Sequence, residues 1–329
     1  MDEIINKIKK SLDSNIDIEN DKPYFSDKRY KPFTIEKRNF HEIKKINSNK
    51  KIVFIDGGNA EILRTASISL QLIRIYYTVY QNNKRIRSKK KEFFVLVNIV
   101  DKNYEVKIFD NFIDEELRFD LNDETLREGI HKVEISKVGE TARRFAELKL
   151  IENIMDDLDN AIIVRDGSLQ SSVTHEHEYF ERIYKKALEK NNIICGLSKS
   201  TTLITEKGNS LTYVLGKIVP EGKWYYHPVV DIEHPDHQAE MFFVKLNEKS
   251  KHIFRFEVYK KQEFDINEIL SILVLNSKDP VFLGYPYGLI EADRFARVSN
   301  NEKEYYKTII CSKLDFESKE VHDILDSIG

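Results

Sequence analysis

Two short apolar runs in this chain end in the same dipeptide: Lys-Ile-Val-Phe-Ile-Asp56-Gly57-Gly58-Asn59 and Ala-Ile-Ile-Val-Arg-Asp166-Gly167-Ser168-Leu169. An apolar run of this length, closed by a turn signal, reads as a buried strand. The glycine lets the backbone turn at once after it. The pattern predicts two acidic side chains at the C-terminal edge of one sheet, where the ligands of open α/β sheets collect. Two such carboxylates, far apart in sequence, are a common way to hold divalent cations, so metal-dependent phosphodiester chemistry is the first expectation. A simple turn is the plain alternative for either dipeptide alone; their repetition favours function.

The rest of the sequence narrows the class. A chain of 329 residues accommodates one large domain or two ordinary ones. The net charge of −3 gives no global basicity, so any nucleic-acid contact has to be local. Cys195 and Cys311 each stand alone, which excludes a disulfide framework or a cysteine-based zinc motif and agrees with a reducing cytoplasm. The start Met-Asp-Glu-Ile-Ile-Asn-Lys lacks a signal-peptide core, and no apolar run nears the roughly 20 residues that span a bilayer, so a cytoplasmic protein without membrane contact is expected. There is no G-x-x-x-x-G-K-[ST] loop and no G-x-S-x-G elbow, which excludes a P-loop ATPase and an elbow-type serine hydrolase.

Along the chain, residues 1–13 read as an amphipathic helix and 14–50 as a polar extension wrapping the surface. Ser67 to Tyr80 is rich in β-branched and aromatic residues and predicts a long strand, with Phe93 to Val100 and Tyr104 to Phe109 beside it. Between them, 84–91 reads as a basic hairpin tip. Apolar residues at Val138, Ala142, Phe145, Leu148, Ile151, Met155 and Leu158 have helical spacing, with Glu140, Arg144 and Glu147 on a polar face. A helix over 176–190, a strand over Ile193–Leu197, short strands from Leu211 to Tyr259, a helix over Asp265–Ser277 capped by Asp265, and helices over 288–298 and the last ten residues follow. The whole predicts a single mixed α/β domain: an extension over 1–50, the main body over 51–300, and C-terminal helices over 301–329 packed on it.

Beyond Asp56 and Asp166, Glu147 is the helix carboxylate placed to complete a metal cage. Its plain alternative is a solvated face with an Arg144–Glu147 pair, and on spacing alone that alternative is favoured. In Gly284-Tyr285-Pro286-Tyr287-Gly288-Leu-Ile-Glu291-Ala-Asp293-Arg294, Pro286 holds Tyr285 extended ahead of a helix. A tyrosine so fixed can bond a phosphate or a metal-bound water; otherwise it packs on the core. His175-Glu-His177-Glu lacks zinc spacing, and His234-Pro-Asp236-His237 reads as a polar loop. The cluster Lys84, Arg85, Arg87, Lys89, Lys90 and Lys91 suits phosphate contacts about as well as a solvated tip.

Taken together, Asp56, the Arg144-x-x-Glu147 helix, the strand Asp166-Gly-Ser-Leu169, the string Gly284-Tyr-Pro-Tyr287 and the loop His234-Pro-Asp-His237 resemble the NurA nucleases over about 50–298. The resemblance implies an RNase H-like core, a homodimer, Mn²⁺ dependence, 5′–3′ degradation of DNA and single-strand cutting. It also implies work beside a HerA-type hexameric translocase in DNA end resection, repair or defence. It would make Asp56, Glu147 and Asp166 metal ligands, put Tyr285 in the active site, and add Arg144 to the basic cluster as a DNA contact. Where the family often has Ala-His, this chain has Ala292-Asp293. Aspartate does not shuttle protons near neutral pH as imidazole does. It could instead serve as a further metal ligand and shift preference towards Mg²⁺. A catalytically weakened adaptor of the translocase, or an actin-like phosphotransferase or ATPase, are the competing readings.

Overall fold

The β-branched stretch after Ser67 is the axis from which the sheet grows. In the computed structural model, which describes residues 1–5, 7, 20–110, 117–127, 133–219 and 221–313, it forms β4 (Ile68–Gln81). β4 pairs antiparallel with β3 (Ile52–Arg64) on one side and β5 (Lys84–Val100) on the other. The meander continues into β6 (Asn103–Ile108) and β7 (Leu117–Asp120). On its other side β3 takes β8 (Ile162–Asp166) as a parallel neighbour, and β8 takes β9 (Ile193–Ser198), again parallel. With β2 (Phe40–Glu42), β10 (Trp224–Tyr226), β12 (Ala239–Lys245) and β13 (Phe254–Tyr259), the sheet has 11 strands in the order β2-β10-β12-β13-β9-β8-β3-β4-β5-β6-β7. A separate ribbon joins β1 (Tyr30–Pro32) to β11 (Val230–Ile232). The antiparallel trio β3-β4-β5 extended by parallel β8 and β9 is the RNase H-like core that was expected.

Parallel neighbours need crossovers, and helices supply them. Helix α1 (Ile135–Ile154) precedes β8, and α2 (Glu176–Glu189) joins β8 to β9. They cover the face presented by Val53, Ile55, Ile73, Ile163 and Ile194. Strand alternation sends Ile52, Phe54, Ile162 and Val164 to the other face. There they pack with α4 (Ile266–Asn276) and α5 (Tyr287–Ala296) through Ile269, Leu273 and Leu289. Asp265 caps α4 as predicted, accepting from the Asn267 N–H at 2.8 Å. Helix α6 (Asn300–Lys313) lays Tyr306 and Ile310 against Ile62, Leu63 and Leu72.

Three local expectations fail for identifiable reasons. Leu211–Ile218, read as strand, is helix α3, because Leu211, Val214 and Leu215 recur at three- and four-residue spacing and enter the cluster with Trp224 and Phe243. Residues 84–91 are not a hairpin tip but the first half of β5. The tip is Asn82-Asn83, with φ of 51° and 58°, a conformation asparagine tolerates. Because β6 joins β5 only from Val95 onward, no strand lies beside the Lys84–Lys90 edge among the described residues. The helix predicted over 1–13 lies largely, and the helices of the last ten residues wholly, outside the described residues. No helix among the described residues is long and apolar enough to cross a membrane.

Candidate active site

The two Asp-Gly dipeptides behave differently. β8 stops at Asp166, and Gly167 turns the chain with φ +115°, as predicted. β3 instead runs straight through Asp56-Gly57-Gly58 to Arg64, with Asp56 opposite Tyr76 of β4, so the turn expected after Asp56 is not formed. The glycines there serve close approach. A Cβ on Gly57 would lie 2.6 Å from Glu147 Oε1, and one on Gly58 would lie 2.2 Å from the Ala296 carbonyl oxygen. β8 accompanies β3 only to the Ile55–Arg165 pair. Asp56 and Asp166 therefore still share the C-terminal end of the parallel strands, on the α5 face, while Gly57 and Arg165 alternate towards α1.

Glu147 is 4% exposed, so the solvated-face alternative does not hold. Its carboxylate lies over Gly57, paired with Arg143 on the same helix and with Arg165 at 3.5 Å. Arg143 also donates to the Gly57 carbonyl at 2.9 Å, which ties α1 to β3 beside Asp56. Tyr285, 2% exposed, donates to Asp166 Oδ2 at 3.1 Å. Burial, then the charges of Glu147 and Asp166, push the Asp56 carboxyl up to about 8, against the opposing Gly57 N–H and Arg143. Burial also raises Asp166, although the Tyr285 hydroxyl and the positive charges of Lys199 and Arg165 pull it back. Tyr285 is raised by burial and by Asp166, and stays a hydrogen-bond donor at ordinary pH.

The structure thus brings Asp56, Glu147, Asp166 and Tyr285 together. It does not give Arg144 a free surface: Arg144 pairs with fully buried Glu176 and donates to the Gln170 carbonyl at 3.0 Å, so it fixes α1 to the loop after β8. The partner of Glu147 is Arg143, not Arg144. Asp293 sits half-exposed on α5, 3.7 Å from Arg297, within electrostatic reach of Tyr285. On β5, Arg85 pairs with Glu291, Arg87 with Asp157, Lys90 with Glu92 and Lys91 with Asp110, while Lys84 and Lys89 project into solvent. His237, expected in a polar loop, is 1% exposed and pairs with buried Glu257 at 3.2 Å, an internal contact.

Arg143, Arg165 and Lys199 were not singled out from sequence. Arg165 carried a signal, a charged residue inside an otherwise apolar strand. Arg143 carried the i, i+4 spacing to Glu147. Lys199 becomes visible only once β9 is known to lie beside β8.

The donor chemistry fits a hard divalent cation: carboxylate oxygens from three elements, with Asp56 crowded by two other negative charges. No group of three His, Cys, Asp or Glu side chains converges as a finished cage among the described residues. Glu147, on the α1 side of β3, is paired with Arg143 and Arg165.

A family model described as the NurA domain matches residues 50–298. The chain belongs to the NurA family. Among solved structures, the NurA nuclease from Sulfolobus solfataricus is similar at 16% identity over 96% of each chain, with a TM-score of 0.56, a likeness in fold. Ciona intestinalis endonuclease V in complex with a 24mer DNA aligns at 14% identity over 79% of this chain and 87% of its own, with a TM-score of 0.39. Human endonuclease V aligns at 8% over 78% and 85%, with a TM-score of 0.40. No similar protein was found among those with curated descriptions.

Proposed function

We propose that this NurA protein is a divalent-metal-dependent deoxyribonuclease, degrading DNA ends 5′ to 3′ and cutting single strands. The observation that carries the reading is Asp56, a carboxylate at the end of the parallel strands pushed up to about 8 by burial and then by the charges of Glu147 and Asp166. A structural carboxylate would be matched by donors; this one is opposed by its neighbours.

Asp56, Asp166 and Glu147 would hold Mn²⁺ or Mg²⁺, with Asp293 as a fourth candidate. Such ions lower the pKa of an attacking water and stabilise the leaving oxygen of a phosphodiester. The protein's own part is orientation and charge. Tyr285 aims Asp166 by its hydroxyl. Arg143 and Arg165 hold Glu147 against β3, beside Asp56. Asp56 must give up its proton before it can bind a cation, so cation binding weakens as pH falls.

Family membership supports a homodimer fed by a HerA-type hexameric translocase, acting in end resection, repair or defence in the cytoplasm. On β5, Lys84 and Lys89 are the cations left for DNA phosphates, with Arg85, Arg87, Lys90 and Lys91 reaching DNA only by exchanging their present partners. The test is cleavage of end-labelled single- and double-stranded DNA with Mn²⁺, Mg²⁺ or EDTA. Metal-dependent products, lost with EDTA and in Asp56→Ala, are expected. Absence of cleavage both alone and with translocase and ATP would replace the enzyme by a structural adaptor.

A further inference from the structure

Lys199 stands one residue beyond the end of β9, exposed, at the same sheet edge as Asp166. The register fixes this position: Leu197 lies opposite Asp166, and the Gly167 N–H donates to the Leu197 carbonyl at 3.0 Å. Strand alternation carries Lys199 to the face of Leu197, the face of Tyr285. There its ammonium rests 5.1 Å from the ring centre of Phe282 and 5.6 Å from that of Tyr285. Ring faces attract a cation and shed part of its water without using its N–H donors. It forms no ion pair among the described residues, although its charge is felt at Asp166.

A lysine meant only to neutralise Asp166 would close on that carboxylate. Lys199 instead keeps its charge a short way off, on an aromatic bed, beside the hydroxyl that orients Asp166. The other nearby cations are spoken for: Arg143 by Glu147 and the Gly57 carbonyl, Arg165 by Glu147 and the Ser168 carbonyl at 3.2 Å. We propose that Lys199 is a catalytic residue that binds a non-bridging oxygen of the scissile phosphate as a compact point charge, and stabilises the negative charge that grows there as the bond to the attacking oxygen forms and the bond to the leaving oxygen breaks. Lysine suits this because its three donors turn freely to meet a tetrahedral oxygen. The proposal rests on the nuclease reading given above.

Two measurements on the full chain test it. The first is binding of a fluorescent single-stranded oligonucleotide in EDTA over a range of KCl. The second is single-turnover cleavage with Mn²⁺. In Lys199→Ala the log–log salt slope should flatten by about 0.7, the share of one phosphate contact on a single strand. Cleavage should fall ~10²-fold, as when one oxyanion donor is removed. Lys199→Arg should restore the slope fully and the rate in large part. An unchanged slope with cleavage within about twofold of the wild type overturns the proposal. So does a slower reaction with an unchanged slope, which would mean Lys199 acts through Asp166. A flatter slope with an unchanged rate would move the contact to a flanking phosphate and overturn the assignment to the scissile one. A wild type that neither binds nor cleaves DNA would instead remove the nuclease reading, and this proposal with it, whereas wild-type cleavage matched by Lys199→Ala removes the lysine alone.

Discussion

Asp56 and Glu291 are carboxylates on the same side of the sheet, linked through one tyrosine, and their surroundings are opposite in kind. Tyr76 is the cross-strand neighbour of Asp56, yet its hydroxyl donates to Glu291 at 2.7 Å. Tyr80 and Arg85 donate to Glu291 as well. Burial would raise Glu291, but those three donors outweigh it and hold its carboxyl below the usual range. Glu257 shows the same balance: burial would raise it, while His237, Arg255 and the Leu169 N–H at 2.7 Å bring it down. Around Asp56 burial again raises the carboxyl, and the charges of Glu147 and Asp166 add to that rise where the Gly57 N–H and Arg143 do not offset it. A carboxylate supplied with donors anchors α5 or the loop after β8. One left against like charges costs stability and is kept for what it can bind.

The strongest way to break this contrast is at the crowded site. Asp56→Ala or Asp166→Ala should lower cleavage ~10³-fold or more, since each is a proposed ligand of the catalytic cation. The melting temperature of the metal-free protein should hold or rise. A gel assay beside a thermal melt would expose a failure in either arm. The donor-rich site should show the reverse. Glu257→Ala leaves His237 and Arg255 without their shared ionic partner and the Leu169 N–H without its acceptor, at a cost of about 3 kcal/mol, read from the urea midpoint. A cost near zero would dissolve the distinction.

The pH dependence sharpens it. In the folded, metal-free protein Asp56 keeps a proton up to about pH 8, whereas the unfolded chain releases it near the ordinary 3.8. The folded state therefore binds more protons between these values, and stability should fall as pH rises from about 4 to about 8, by about 2 kcal/mol after allowing for partial exposure. Melting in EDTA across that range, with Asp56→Asn showing a flatter profile, checks the sign. Glu291→Gln keeps the shape but weakens two charged hydrogen bonds and one ion pair, for about 1 kcal/mol. Smallest of all, Lys89→Ala should change DNA affinity by less than about threefold, one exposed phosphate contact at moderate salt, in a titration that leaves cleavage intact.

Much of this was legible in the residues. The β4 axis, the α1 stripe, the Asp265 cap and both acidic strands follow from period and composition. The path of β3 through Asp56-Gly57-Gly58 was not, because a paired glycine after an apolar run has the local grammar of a turn. Only the nearness of Glu147 and of the Ala296 carbonyl shows why side chains are missing there. Arg143 and Arg144 are one residue apart on a helix, and sequence spacing had no means of deciding which would face Glu147 and which Glu176. Helix α3 was hidden because its eight residues carry strand-favouring Thr, Tyr, Val and Ile, and its identity is set by the cluster it enters.

Among the described residues, no strand lies beside the outer edge of β5 from Lys84 to Lys90. A strand edge without a neighbouring strand offers a row of N–H and C=O groups to any other chain, and two molecules could zip edge to edge. Six lysines and arginines between residues 84 and 91 oppose such a meeting, since an identical edge arriving in solution brings the same sign of charge. Screening by concentrated salt, or acetylation of Lys84 and Lys89, removes that guard, and clumping of an otherwise well-folded protein is the form its loss would take.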